Sequence, residues 1–227
     1  GMERRSMEER MSMKRKAKVL GDTFIGGDNA SNPREYTGLK NRLRAVGTGV
    51  SSVDGSNYDS RIIANSTASG GGALSLAMLD IAIGLVNEPN AIILPKRLKD
   101  RFAAAVRDAG VGGIYTNDKN DMGHRVPMYN GIPLYSGYGV SPLGSFLNFN
   151  EVAYGGGSAV TSSIYIVSFG EMGVCGLETS PIEVKDMGLL NDAVTFRTNI
   201  EHDTGLCIET PYAAMRLSSV ADAAIVK

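Results

Sequence analysis

The chain has 227 residues, of which 43% are hydrophobic and 21% are charged, with 23 basic and 24 acidic side chains. This composition can bury a substantial core, so it excludes a wholly disordered chain, a collagen-like chain and a small disulfide scaffold. No run approaches the roughly 18 consecutive apolar residues of a membrane-spanning helix, and no apolar signal-peptide core follows the N-terminus. We therefore expect a soluble globular protein of one large domain or two small ones.

The first twenty residues are strongly basic. Seven basic and three acidic side chains lie between Glu3 and Lys18, which leaves 16 basic and 21 acidic side chains in the rest of the chain. A basic segment on an acidic body can bind nucleic acid, lie on an anionic lipid surface or dock on a like copy of the body. We expect residues 1–20 to form a flexible arm or the remnant of an extended loop. The candidate subunit contacts in it are Arg4, Arg5, Lys14, Arg15 and Lys16.

The next part of the chain contains the first predicted helix. Residues 21–72 are dense in Gly, Asn, Ser and Asp without a helical period, so they predict extended strands and loops. Residues 73–87 are apolar on most faces, with one stripe at the spacing of a helix. The stripe comprises Leu74, Met78, Ile81 and Leu85. We predict a long buried helix here that acts as the spine of a domain.

Several shorter elements follow along the chain. Residues 91–94 predict a strand, and Pro95 suits the first turn of an amphipathic helix over residues 96–109. Asn130 and Gly131 predict a hairpin turn, and residues 163–169 predict a strand. Residues 194–201 alternate in polarity, residues 202–205 carry turn signals and residues 206–210 are again strand-like, so we predict a half-buried hairpin over 194–210.

The sequence holds no recognisable catalytic, cofactor or metal constellation. Its glycine clusters lack the spacing of a phosphate loop or a dinucleotide fingerprint, and the run Asp118, Asn120, Asp121 has Tyr129 where a calcium loop needs glutamate. His202 and Cys207 form the one conceivable base and nucleophile pair, but we expect Cys207 to face the core. Cys175 and Cys207 are expected to be small buried thiols of a protein from a reducing compartment.

The order of segments resembles that of tailed-phage and prophage major capsid proteins with the Hong Kong 97-like coat fold, an α+β fold. The resemblance extends over about residues 20–220. The helix over residues 73–87 is one matching segment. The others are FIGGD (24–28), NPREYTGL (32–39), AIILPKRL (91–98), NGIPL (130–134), VKDMG (184–188), IEHDTGL (200–206) and PYAAMRL (211–217).

This resemblance implies a peripheral domain, built on a spine helix and a long sheet, and an axial domain at the centre of the capsomer. Residues 21–90, with the spine helix at 73–87, would begin the peripheral domain. Residues 91–185 would form the axial domain, and residues 186–227 would return to the peripheral domain. The family also has an N-terminal arm and an extended loop, for which residues 1–20 are short.

The function implied by the resemblance is that of a coat protein without enzymatic activity or cofactor. Its partners would be further copies of itself in hexameric and pentameric capsomers, with scaffold and portal proteins. The shell would enclose DNA without sequence-specific binding, in a virion assembled in the bacterial cytoplasm without a membrane. The alternatives are an encapsulin-type nanocompartment shell, a cytosolic hydrolase using Cys207 and His202, and a nucleic-acid-binding module using the basic arm.

Overall fold

The computed structural model describes residues 2–43, 61–106, 115–119, 125–137, 147–189 and 196–226. The helices are α1 (Met2–Gly26), α2 (Leu39–Arg42), α3 (Leu76–Gly84) and α4 (Lys96–Val106), with a 3-10 turn at Pro211–Ala213. The strands are β1 (Ile62–Ala64), β2 (Ala91–Ile93), β3 (Tyr115–Lys119), β4 (Arg125–Tyr129), β5 (Ile132–Tyr135), β6 (Glu151–Val152), β7 (Ala159–Val167), β8 (Val174–Leu189), β9 (Phe196–Ile208) and β10 (Ala214–Ala221). The fold class is mixed α+β.

The described strands form one large mixed sheet and one separate ribbon. The large sheet has eight strands in the order β1-β10-β7-β2-β5-β4-β3, with β6 paired to β7 outside this path. Strand β10 runs parallel to β1 and antiparallel to β7. The ribbon is the antiparallel pair β8 and β9. The chain thus leaves the large sheet after β7, makes the ribbon, and returns to the sheet at β10.

Both faces of the central strand β7 are buried, and each face contributes to a different hydrophobic cluster. Ile164 and Ile166 pack with α3 and α4 against one face of the large sheet. Tyr165 and Val167 point the other way, because successive strand residues alternate between faces. They pack with the end of α1, α2 and the base of the ribbon. Strand β7 therefore joins the two packed parts of the molecule.

A buried ion-pair cluster fastens α2 to the large sheet. The Arg216 guanidinium on β10 lies 3.0 Å from Glu151 on β6, and both side chains are nearly buried. Lys40 of α2 reaches the other Glu151 oxygen at 3.0 Å. The Ser163 hydroxyl donates to Glu151 and accepts from Arg216. This arrangement gives the buried carboxylate several charged and polar partners, as a buried charge requires.

Acidification should destabilise the fold through Glu151. Burial raises the pKa of this carboxyl, but the Arg216 charge, the Ser163 hydrogen bond and Lys40 outweigh burial and hold the pKa below its usual 4.5. A depressed folded-state pKa means that the stabilisation is present above pH 4.5 and is lost as the pH falls below it. Thermal unfolding followed from about pH 6 to about pH 3 should show a weaker pH dependence in Glu151→Gln than in the parent chain. Equal pH slopes would contradict this account.

Several predicted elements are confirmed. Strand β2 and helix α4 lie where the sequence indicated, and Pro95 directly precedes α4, which is described as far as Val106. Asn130 and Gly131 both have positive φ values in the turn between β4 and β5. The apolar run in β7 forms a buried central strand. Local pattern and long-range packing agree in each of these segments, which is why pattern alone identified them.

The expectation of a flexible arm over residues 1–20 is wrong. This segment is helical, and the helix continues to Gly26, through residues for which the sequence pattern predicts extended structure. Its residues are mostly strong helix formers. Arg4 pairs with Glu8, and Arg5 pairs with Glu9, at the i,i+4 spacing that supports a helix. The segment lacks an apolar stripe of ordinary width, so hydrophobic periodicity did not predict a helix here.

Two other predictions are corrected. The helix expected over 73–87 is shorter, because α3 spans Leu76–Gly84. Backbone groups of Leu74 and Leu76 instead pair with Val226 near the C-terminus. The hairpin expected over 194–210 is also wrong, because β9 runs continuously through the supposed turn. Strand β8 pairs with β9 on both sides of residues 202–205, with three register shifts, and Gly205 stays in a ladder position opposite Leu177.

The domain boundaries proposed from the resemblance do not coincide with breaks in the sheets. Strand β2, after the boundary at residue 90, pairs with β7, and β7 pairs with β10 of the last segment. The boundary at residue 185 falls inside β8. The division of these parts into a peripheral and an axial domain stays a prediction.

Candidate assembly surface

Helix α1 lies along one face of the β8–β9 ribbon. The half-buried residues of α1 recur at spacings of three and four along a single stripe of the helix. This inner stripe comprises Arg5, Glu9, Met13, Lys16 and Leu20. The end of the helix enters the second hydrophobic cluster through Ile25, beside Val174 and Leu206 of the ribbon. A two-stranded ribbon alone is marginally stable in water, so α1 is the element that supports it.

Arg5 fixes the N-terminal end of α1 to the far end of the ribbon. Its guanidinium lies 2.7 Å from the Asp186 carboxylate and donates to the Thr198 hydroxyl at 3.2 Å. The same group lies over the Phe196 ring, 5.1 Å from the ring centre. The hydrogen bond from Arg5 is the largest cause that holds the pKa of Asp186 below its ordinary value. Arg5 therefore makes an intrachain contact.

The opposite stripe of α1 is basic and exposed to solvent. Helical spacing places Met7 and Met11 on this outer stripe, with 63% and 60% of their surfaces exposed. Arg4, whose side chain is 87% exposed, has only its helical neighbour Glu8 as an ion-pair partner in the part of the chain described. The outer stripe comprises Arg4, Met7, Met11, Lys14, Arg15 and Lys18. It combines four basic side chains with two exposed methionines.

The structure divides the five predicted contact residues into two groups. Arg5 and Lys16 lie on the inner stripe beside the ribbon, whereas Arg4, Lys14 and Arg15 lie on the outer stripe. Sequence analysis selected them as one group because it treated the segment as an unstructured arm. Their role in contacts between subunits stays a prediction, and the geometry makes the outer three the better candidates.

The outer face of the ribbon carries both charges and thiols. Lys185 lies between Glu183 at 3.0 Å and Glu201 at 2.9 Å, and these two carboxylates raise its pKa. Cys175 and Cys207 stand directly opposite each other in the ladder. Both thiols are half-exposed, which corrects the expectation of buried thiols. The core positions at the base of the ribbon belong instead to their neighbours Val174, Leu206 and Ile208.

His202 and Cys207 do not form a catalytic pair. They are five residues apart on the regular strand β9, so their side chains point to opposite faces of the ribbon. His202 lies on the face towards α1 with its side chain 8% exposed, and its Nε2 atom is 2.8 Å from a Glu178 oxygen. The alternative of a Cys/His hydrolase therefore has no nucleophile and base in contact.

A groove of about 500 Å³ opens between the last turns of α1 and the base of the ribbon. Its walls are largely apolar and include Phe24, Tyr36, Phe169 and Leu177. His202 also lines it, and the Nδ1 atom of this histidine is buried without a hydrogen-bond partner among the described atoms. Sequence analysis missed the groove, because its walls come from segments far apart in the chain.

The described residues contain no metal-binding cluster of three or more His, Cys, Asp or Glu side chains. Of the fragment likened to a calcium loop, Asp118 lies in β3 opposite Val126, and Asn120 and Asp121 lie outside the described residues. Among the described helices, none is long and apolar enough to cross a membrane.

Three solved structures share this architecture over almost the whole chain. The holo-SrpI encapsulin complex from Synechococcus elongatus PCC 7942 superposes with a TM-score of 0.64 at 16% identity. The capsids of an empty and a native GTA particle superpose with TM-scores of 0.56 and 0.55 at 16% and 17% identity. The chain has the Hong Kong 97-like capsid fold. Each match covers 96% of this chain and 66% of the other chain, so this capsid-fold chain spans just under two thirds of their length.

Comparison with family models and with curated proteins found no match. The relationship therefore rests on three-dimensional structure, and at identities of 16–17% it establishes the fold alone. It confirms the capsid-fold part of the expectation drawn from the sequence. The matched fold supports the helix on a ribbon and the large mixed sheet as parts of one capsid-fold subunit.

Replacing Arg5 with alanine should loosen the far end of the ribbon. The variant loses the Asp186 ion pair, the Thr198 hydrogen bond and the stacking on Phe196. Because the pair is partly exposed, we expect amide hydrogen exchange in β8 and β9 near Asp186 to accelerate by only about two- to fivefold. Arg4→Ala is the matched control, since Arg4 contacts only Glu8 among the ion pairs described. Equal exchange in the two variants would contradict the proposed support.

Proposed function

We propose that the chain is the structural subunit of a self-assembling protein shell, as the major capsid protein of a tailed phage or prophage. The observation that carries this proposal is the superposition of 96% of the chain on chains of an encapsulin complex and of the capsids of an empty and a native GTA particle. In this proposal the protein functions by binding copies of itself in hexameric and pentameric capsomers. Scaffold and portal proteins would join the assembly, and the shell would enclose DNA. The particle would be a virion built in the bacterial cytoplasm.

The distribution of charge supports self-association. Beyond Lys18 the chain has 16 basic and 21 acidic side chains, whereas the outer stripe of α1 carries Arg4, Lys14, Arg15 and Lys18. A basic stripe on one copy and an acidic body on the next attract each other at modest strength. Symmetry repeats each such contact many times, and ring closure followed by shell closure makes the whole cooperative.

A second candidate function is that of an encapsulin-type nanocompartment shell. It is favoured by the higher TM-score with the SrpI encapsulin, 0.64 against 0.56 and 0.55 for the GTA capsids. The two candidates differ in the particle contents. Nuclease-protected DNA in particles purified from the native host would support the capsid, and a packaged enzyme would support the nanocompartment.

Sedimentation velocity of the purified chain tests both shell proposals. We expect species far larger than the 24.0 kDa monomer, with a fraction that increases steeply with protein concentration. Negative-stain images of the same fractions should show closed particles or capsomer rings. A chain that remains monomeric across concentration and salt would overturn both candidates.

A further inference from the structure

The two cysteines form a cross-strand pair on the ribbon. Cys175 of β8 and Cys207 of β9 are register partners, and the pairing continues without a shift from Val174 to Glu178. Both thiols are free and half-exposed. The fold therefore holds two solvent-accessible thiols side by side, although they are 32 residues apart in the chain.

The backbone places these thiols at a distance that a disulfide can span. The Glu209 amide donates to the Gly173 carbonyl at 3.0 Å, so the pair two positions further along the antiparallel ladder is also a hydrogen-bonded pair. Such partners have Cα atoms about 5.5 Å apart, which lies within the 4.4–6.8 Å range of disulfides. Their Cβ atoms are about 5 Å apart and would have to approach to about 3.8 Å. This adjustment predicts a disulfide that forms in the folded chain and is readily reduced.

We propose that Cys175 and Cys207 are a reversible redox site, which glutathione disulfide converts to an intrachain disulfide that staples the base of the ribbon. The proposal does not depend on shell formation. It depends on the partial exposure of both thiols, which the sequence analysis expected to be buried. The chemical partner is a small-molecule disulfide in solution, and the product differs from the reduced chain by the loss of two hydrogen atoms.

The reaction proceeds by two thiol–disulfide exchanges. The Cys207 thiolate attacks one sulfur of glutathione disulfide and releases one glutathione, which takes up the proton lost from Cys207. The Cys175 thiolate then attacks the Cys207 sulfur of the mixed disulfide and releases the second glutathione. One sulfur–sulfur bond forms in the protein, and the glutathione disulfide is reduced to two thiols.

The surroundings of Cys175 set the order of these steps. Partial burial and the hydrogen bond to Glu209, at 3.5 Å, raise the pKa of the Cys175 thiol above its usual 9.0. Cys175 therefore stays protonated at neutral pH, and a thiol is a poor nucleophile compared with a thiolate. We assign the first attack to Cys207 for this reason. The second attack is intramolecular, so a low thiolate fraction at Cys175 is offset by its proximity.

Oxidation should stabilise the ribbon where it joins the second hydrophobic cluster. The bond would hold β8 and β9 together next to Val174, Leu206 and Ile208. The disulfide would close a loop between two cysteines that are 32 residues apart, and this loop restricts the unfolded chain. We therefore expect the unfolding temperature to increase by roughly 5 °C. A reducing agent should reverse the increase completely.

The test is incubation of the full chain with glutathione disulfide, followed by peptide mapping under non-reducing conditions. The expected product is a single peptide pair linked through Cys175 and Cys207 within one chain, with the increased unfolding temperature. Cys175→Ser and Cys207→Ser serve as matched controls and should yield only glutathione adducts. In these controls, Cys175 should react more slowly than Cys207.

Three results would overturn the proposal. Glutathione adducts on both cysteines of the parent chain, without an internal bond, would show that the thiols cannot meet. Links only between chains would show that the reactive pair is intermolecular. An internal bond with an unchanged unfolding temperature would show that it does not staple the ribbon. None of these results bears on shell formation, which sedimentation measures separately.

Discussion

Replacing Arg216 with leucine should lower the free energy of unfolding by about 3–5 kcal/mol, because it removes the buried one of the two cations that contact the Glu151 carboxylate. Both side chains lie inside the fold, with exposures of 11% and 8%. Arg216 also donates to Ser163 and to the carbonyls of Lys40 and Leu43, so the variant loses these contacts at the end of α2 as well. Urea unfolding of the unassembled chain measures the change.

Arg101→Leu is the matched control for this variant. Arg101 pairs with Asp222 at 3.1 Å but is 45% exposed, so its loss should cost less than about 1 kcal/mol. The double variant Glu151→Leu and Arg216→Leu should recover part of the loss, since no unpaired charge then remains buried. Equal destabilisation by Arg216→Leu and Arg101→Leu would show that the buried cluster does not stabilise the fold.

Reversing the charge of Arg4, Lys14 and Arg15 together should reduce assembly by about tenfold or more. Each contact of this kind contributes about 0.5 kcal/mol, and three sum to roughly 1.5 kcal/mol per interface, close to a factor of ten. The loss should be greatest at low salt, where charge attraction is least screened. Sedimentation of the glutamate triple variant over a range of salt concentrations measures it, and far-UV circular dichroism checks that α1 remains helical.

A second triple variant controls for net charge. Arg34, Lys96 and Lys99 lie outside α1, and their change to glutamate alters the net charge by the same amount. This control should assemble almost as the parent chain does. If both triple variants assemble equally well, or equally poorly, the outer stripe of α1 is not a specific contact surface. The self-assembly proposal itself would survive that outcome, since other surfaces could carry it.

The sequence predicted those elements whose local pattern and tertiary environment agree. Residues 164–167 of β7 form an apolar run because both faces of the strand are buried there. Helix α4 is amphipathic because it covers one face of the sheet. The Asn130-Gly131 turn requires positive φ at both positions, which is why the dipeptide is a reliable signal. Such segments can be predicted without knowledge of the rest of the fold.

Helix α1 was not predicted because most of its length packs against the β8–β9 ribbon and not against a hydrophobic core. Its inner stripe contains Arg5, Glu9 and Lys16, so polar contacts such as the one between Arg5 and Asp186 replace apolar burial. Hydrophobic periodicity cannot detect a helix of this kind. The i,i+4 pairs Arg4–Glu8 and Arg5–Glu9 were a signal that could have identified it.

The ribbon was misread because strand pairing is non-local. The turn signals at residues 202–205 are real local preferences, but pairing with β8 overrides them. Three register shifts between Glu178 and Leu189 then decide which residues share a face. The meeting of Cys175 with Cys207 follows only from the pairing of β8 with β9. The separation of His202 from Cys207 follows only once β9 is known to continue as one strand through residues 202–205. The role of the basic segment in subunit contacts stays a prediction, and its division into inner and outer stripes needed the structure.

The most direct test of the account is a cryo-electron microscopy reconstruction of the assembled chain. We predict a closed shell one subunit thick, in which every copy has the fold described and the outer stripe of α1 meets an adjacent copy. Particles without closed symmetry would contradict the closed shell. A protein that never assembles in the presence of its native partners would contradict the central claim that this chain acts by binding copies of itself.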